Sequence, residues 1–195
     1  MPRPREFDEQ VVLDAATQRF WMNGYEATSV RDVADQMGLT GASLYNAFGD
    51  KRTLYRVVLD RYAKAALQSC ADAFEGGTPP KVAIKAFFDA TVAELLNDPQ
   101  HKGCLVVNTS LEVAPHDDEF REVVKGVFVR IEKYVRDCIK AGQADGSIST
   151  KQSAADLARL FLAAILGLRV LARTRPEREL LTGLVRPLLL MLERP

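Results

Sequence analysis

Apolar residues recur at helical spacing in nearly every segment of this chain, and no segment alternates with the period of two that a strand needs. That pattern restricts the fold to the all-α class. The first helix is expected from about Glu6 to Asn23, with Phe7, Val12, Ala16 and Phe20 along one face, and Asn23-Gly24 stops it. Ser29 with Asp32 forms a capping-box pair for a short second helix whose Val30, Val33, Ala34 and Met37 face inward. Gly38 ends it. Thr40 caps a third short helix through Ala47, anchored by Leu44 and Phe48, and Gly49-Asp50 restarts the chain into a long fourth helix from Lys51 to about Phe74.

The stretch from Glu75 to Pro80 reads as a linker, and its prolines open a helix to about Leu96. An apolar helix around Cys104 to Val113 is closed by Pro115, and Asp117 or Asp118 caps the next. There Phe120, Val124, Val127, Ile131, Tyr134 and Cys138 alternate steps of four and three, the seam of a bundle helix. Ser149 and Gln152 form the expected capping box of a helix to about Ala172, and Pro176 starts the last one. These two helices hold more Leu, Ile and Phe than one buried face requires, which marks an interface, with Leu168 and Leu188 expected on its seam.

Composition limits the functional classes. The formal net charge is zero, and the first 56 residues carry seven basic against eight acidic side chains, so total charge gives no support for a nucleic-acid partner. Placement and motif must carry that reading. The three cysteines are odd in number and widely spaced, and they fit neither a disulfide framework nor a zinc pattern. With no signal peptide and no membrane span legible, the expected location is cytoplasmic, with no membrane partner.

The informative stretch is Thr28 to Leu54, TSVRDVADQMGLTGASLYNAFGDKRTL. Two short helices joined by a Gly-containing turn match the helix-turn-helix unit. Ala34 is small where the helices cross, Gly38 makes the turn, Leu39 plugs the core beneath it, and Leu44 and Phe48 fix the second helix to the body. Thr40, Gly41, Ala42, Ser43, Tyr45 and Asn46 remain at the exposed N-terminal end, where a DNA major groove is met.

Phe20, Gly24, Tyr25, Thr28, Val33, Ala34, Gly38, Thr40, Leu44, Tyr45, Phe48, Lys51 and Leu54 together resemble the DNA-binding domain of the tetracycline-repressor (TetR) family of bacterial regulators. The resemblance covers residues 6 to about 60. Gly103 to Asn108 followed by Glu112 is similar to a pattern in one subset of that family, whereas Ala47 stands where many relatives carry a histidine. The resemblance implies a helix-turn-helix domain over residues 1–50 and a helical-bundle ligand-binding and dimerisation domain over residues 51–195, the fourth helix connecting them. It implies a homodimeric regulator on a near-palindromic double-stranded operator, released by a small-molecule effector; and because the sequence carries no nucleophile elbow, phosphate loop or metal triad, no enzymatic activity and no cofactor are expected. Thr40, Ser43, Tyr45 and Asn46 would contact DNA, Lys51 would reach a phosphate, Arg31 would touch backbone, and Arg3 and Arg5 could enter a minor groove.

The same resemblance implies an effector pocket. Phe87, Phe88, Val92, Leu95, Leu105, Asn108, Leu111, Phe128 and Phe161 are candidate wall residues, although plain core is the simpler reading of each. Cys104 is a further candidate, either as a small buried hydrophobe or as a thiol sensor activated by Lys102 and a helix N-terminus. His101 and Cys104 lack a third soft ligand, so no metal is assigned. His116 with Asp117 and Asp118 could be read as an acid/base cluster, but the acids serve more simply as helix caps. A regulator of this fold without an effector is the remaining alternative.

Overall fold

The computed structural model describes residues 7–75 and 77–194. Among the described residues nine helices follow one another and no strand occurs: α1 Glu9–Asn23, α2 Val30–Gln36, α3 Gly41–Phe48, α4 Lys51–Glu75, α5 Pro80–Leu96, α6 Leu105–Glu112, α7 Asp118–Ala144, α8 Ala154–Leu171 and α9 Arg178–Leu190. The all-α expectation therefore holds for this part of the chain.

Local chemistry explains most boundaries. Asp8 caps α1 by accepting the Gln10 N–H, and Ser29 and Asp32 cap α2 reciprocally. Two C-terminal expectations need correction. Ser149 and Gln152 do not cap α8: Ser149 is buried in the preceding turn, where its N–H donates to Leu192 O and its carbonyl accepts from the Gln143 amide. Ser153 caps α8 instead, accepting from the Asp156 N–H. Likewise α9 begins after Glu177 rather than at Pro176, and it continues through Pro187 to Leu190.

The buried side chains form two clusters. One joins α1, α2, α3 and α4 to α6 and the N-terminal half of α7, and the other joins α5, α7, α8 and α9. At the centre of the first, Tyr55 packs its ring 4.8 Å from both Phe20 and Tyr25 and 5.4 Å from Phe120. Thr109 donates its hydroxyl proton to Leu105 O, so the Tyr55 hydroxyl is the donor in their 2.7 Å contact. Leu168 and Leu188 belong to the second cluster, filling the protomer's own core rather than an external seam. The free apolar surface of α8 and α9 is instead Leu160, Val170, Leu184 and Leu190.

Polar contacts fix the N-terminal unit and the start of α4 to the bundle. The Glu112 carboxylate at the end of α6 accepts the Tyr25 N–H at 3.0 Å and the Glu26 N–H at 2.8 Å. Gly24 makes this approach possible: its φ is +84°, and a Cβ there would lie 2.9 Å from a Glu112 oxygen. Nearby, Arg52 grips Asp117 through two bonds of 2.9 and 3.2 Å and reaches Glu119 at 2.6 Å. Asp117 also caps α7, and the Arg52 hydrogen bonds hold its carboxyl below the usual aspartate value. Asp117 is thus committed to structural contacts.

Gly24→Ala should destabilise the protein by about 1–3 kcal/mol, because it combines a left-handed φ with a displaced buried-edge acceptor. Urea unfolding measures this, and a wild-type midpoint would show that the Glu112 contact does not require glycine.

Candidate DNA-binding surface and ligand cavity

The recognition unit is built by short-range bonds. Gly38, at φ +64°, turns the chain after α2, and the Leu39 N–H closes that turn on Ala34 O at 2.9 Å. Thr40 caps α3 by accepting the Ser43 N–H at 3.2 Å, and the two hydroxyls meet at 2.9 Å. Leu44 and Phe48 are buried, which turns the opposite face outward: Ala42, Tyr45 and Asn46 are exposed, with Tyr45 at 50%. A Cβ at Gly41 would meet nothing within 4 Å, so that end of α3 is open. Arg31 is 83% exposed on α2 and pairs only loosely with Asp35, at 4.0 Å. Lys51 is held, not free: its ammonium donates to Glu26 O at 3.2 Å and lies 4.3 Å from the centroid of the Tyr25 ring. Arg3 and Arg5 lie outside the described residues.

A cavity of 650 Å³ lies between α4, α5, α6, α7 and α8. Its wall is built largely from small side chains, including Ala65, Ala66, Ala73, Ala83, Ala86 and Ala90, with the rings of Trp21, Tyr62, Phe87 and Phe128. Several α4 and α5 residues on it are solvent-exposed, so it opens between those helices. The polar part comes from Ser69, Asp72, Thr78, Thr91, Glu94 and Arg169. Arg169 faces Glu94 through contacts of 3.3 and 3.4 Å.

Among the sequence candidates, Phe87, Phe128 and Cys104 line this cavity. Phe88, Leu95 and Phe161 instead fill the second core cluster, where Phe88 and Phe161 pack edge to face at 5.5 Å. Leu105 belongs to the first cluster, and Val92 borders a separate groove between α5 and α9. Asn108 bridges Lys102 O and the Arg173 guanidinium, fixing the loop before α6. Leu111 is 64% exposed and is not part of this cavity's wall. Trp21 and the alanines escaped sequence reasoning, the first because it lies on α1 and the others because small residues carry no signal.

The surroundings of Cys104 also differ from expectation. Cys104 is buried at the N-cap of α6, but the Lys102 ammonium turns away to Asp98, at 2.8 Å, and to Gln100. Gly103 serves the backbone, since its φ is +69° and a Cβ there would crowd Arg169 O and the Arg173 side chain at 3.0 Å. Arg169 is the basic side chain that shares the cavity wall with Cys104. His101 and Cys104 gain no third ligand: among the described residues no group of three metal-ligating side chains assembles.

Burial pushes the thiols of Cys70 and Cys138 up from 9.0 to about 11. Their protonated forms therefore stabilise the fold fully below the unfolded value, and this contribution is lost as pH rises through the folded one. The urea midpoint should fall between 9.0 and about 11. Cys138→Ala should flatten part of that fall, and an unchanged slope would contradict the burial argument.

Comparison with known proteins follows the same division. Residues 12–58 match the family profile described as bacterial regulatory proteins, tetR family, and residues 80–186 match that of the tetracyclin repressor-like C-terminal domain. The chain is 29% identical over 178 residues to the HTH-type transcriptional repressor ComR of Escherichia coli K12, covering 91% of this chain and 85% of ComR. It is 28% identical over 185 residues to the repressor DhaR of Mycobacterium sp. GP1, covering 92% and 91%. Among solved structures, a cysteine mutant of the regulator CifR complexed with 26bp operator DNA superposes with a TM-score of 0.85 at 29% identity, covering 98% of this chain and 100% of CifR. The reduced form of Escherichia coli NemR shares the fold, with a TM-score of 0.85 at 18% identity over 95% and 97% of the two chains.

Proposed function

Because the chain belongs to the TetR family of bacterial regulators, we propose that it is a transcription repressor that binds a near-palindromic duplex as a homodimer and is released by a small molecule entering the cavity. The observation that carries this reading is the joint geometry: the exposed face of α3, and a 650 Å³ cavity whose walls include α4 and α6, the helices that hold the N-terminal unit. Residues 1–50 act as the DNA-binding domain and residues 51–195 as the ligand and dimerisation domain. The Glu112 contacts to Tyr25 and Glu26, with the Arg61–Asp14 pair, are where movement passes between them.

Gly41, Ala42, Tyr45 and Asn46 face the major groove, with Thr40 and Ser43 presenting hydroxyls at the helix N-terminus. Lys51 and Arg31 serve the phosphates. The exposed apolar residues of α8 and α9 pair two protomers, and the two-fold axis sets the recognition helices about 34–36 Å apart. Entry of a ligand displaces α4 and α6 and changes that separation. Among the described residues no helix is long and apolar enough to cross a membrane. We place the protein in the cytoplasm, where its three free thiols stay reduced, and assign it no catalytic role.

One observation favours a second reading, in which a thiol replaces the non-covalent ligand. Cys104 lies on the cavity wall near Arg169, so a reagent small enough to enter could modify it. Equal operator release by wild type and Cys104→Ser after mild thiol treatment rules this out.

Affinity for duplex DNA should fall linearly in log–log form with salt, by about 0.9 per phosphate contact. Leu160→Glu with Leu184→Glu should give monomers by sedimentation and abolish tight binding, because each interface carboxylate would be buried without a partner. Lys51→Ala should weaken all sequences alike, whereas Asn46→Ala should flatten discrimination at particular bases by about 1–3 kcal/mol. A double mutant that stays dimeric relocates the interface, and altered sequence preference in Lys51→Ala refutes the assigned register of α3.

A further inference from the structure

Trp21 belongs to α1, in the N-terminal unit, yet its ring forms part of the cavity wall. It meets Tyr62 edge-on at 5.0 Å, and the Lys102 ammonium lies 5.1 Å from its centroid. Its indole Nε1–H is buried and finds no hydrogen-bond acceptor among the described residues. Buried donors in native folds nearly always have a partner, and an unpaired one is costly. Trp21 also borders a smaller groove with Glu94, Asp98 and Lys102, and an acceptor on a molecule bound in the larger cavity would remove that cost.

The remaining wall narrows what that molecule is. Most of it is apolar, formed by alanines and by Phe87, Phe128 and Ile165. Arg169 is already matched by Glu94, and Asp72 adds a second carboxylate, so an anionic ligand meets net negative charge. We infer that Trp21 donates the hydrogen bond that selects the effector, and that the effector is a neutral, mainly apolar molecule bearing a carbonyl-type oxygen. This rests on the cavity being the effector site. It adds that the ligand touches α1 directly, so the N-terminal unit senses occupancy without relying on α4 alone.

The contact can be read without DNA, because Trp21 is the sole tryptophan and gives a single indole N–H resonance. Acetophenone and ethylbenzene have nearly the same shape and differ by the carbonyl oxygen. Acetophenone should move the indole proton downfield and bind about tenfold more tightly than ethylbenzene, the effect of roughly one net hydrogen bond. Trp21→Phe, which keeps a ring but lacks the N–H, should erase that preference, and benzoate should bind more weakly than acetophenone. An indole resonance unmoved by acetophenone, equal affinity for the two neutral probes, or tighter binding of benzoate overturns the inference. If Trp21→Phe does not fold, the wild-type resonance and the probe pair decide alone. No arm involves an operator, so failure here leaves the repressor reading standing, and loss of DNA binding refutes that reading without touching these probes.

Discussion

The hold of α6 on the turn between α1 and α2 is the constraint on which the rest of the molecule depends. A single carboxylate, Glu112, accepts two consecutive backbone amides, and the approach exists because Gly24 has no side chain. Three residues earlier on the same helix, Thr109 receives the Tyr55 hydroxyl. The helix has only eight residues, and Val106 and Val107 at its other end form cavity wall. A rigid element this short cannot shift at one end and stay fixed at the other. Hydrogen bonds to a charged group contribute about 1.5–3 kcal/mol each, whereas a near-complete population switch needs roughly 5.5 kcal/mol of differential binding. Together the two Glu112 bonds are therefore of about the size that such a switch needs, so they can bias the equilibrium between the two arrangements.

Electrostatics in the N-terminal unit follow from the same architecture. The basic side chains that follow it on α4 are largely engaged within the protein: Arg52 and Arg56 with Glu119, Arg61 with Asp14, and Lys51 on Tyr25 and Glu26 O, while Arg31 on α2 stays exposed. That is consistent with a zero net charge in a DNA-binding reading, because binding then relies on a few placed groups rather than a field. It also makes fit of α3 to the groove, and the spacing of two such helices, more important than general attraction to phosphate.

The recognition unit was legible in the sequence because its determinants are local. Ser29 and Asp32 cap α2, Gly38 turns the chain, and Leu44 with Phe48 defines the buried face of α3 within a few residues of one another. The cavity was not legible, because a cavity is a set of missing atoms. Large side chains such as Phe88 and Phe161 attract attention, yet they find each other and close the core, while alanines spread over α4 and α5 leave the space. Trp21 reaches that wall from another part of the chain, which only tertiary packing can arrange. The capping error had a similar origin: Ser149 and Ser153 both offer hydroxyls, and the choice was made by the bond from Ser149 N–H to Leu192 O, far along the chain.

The central claim is that two copies of this chain present α3 to one duplex with two-fold symmetry. Selection of bound fragments from a random duplex pool, followed by sequencing, tests it most directly. Enrichment of an inverted repeat whose half-site centres lie about one helical turn or a whole number of turns apart is the expected result. Enrichment of a single unrepeated site, or recovery of a pool no different from the input, would contradict it.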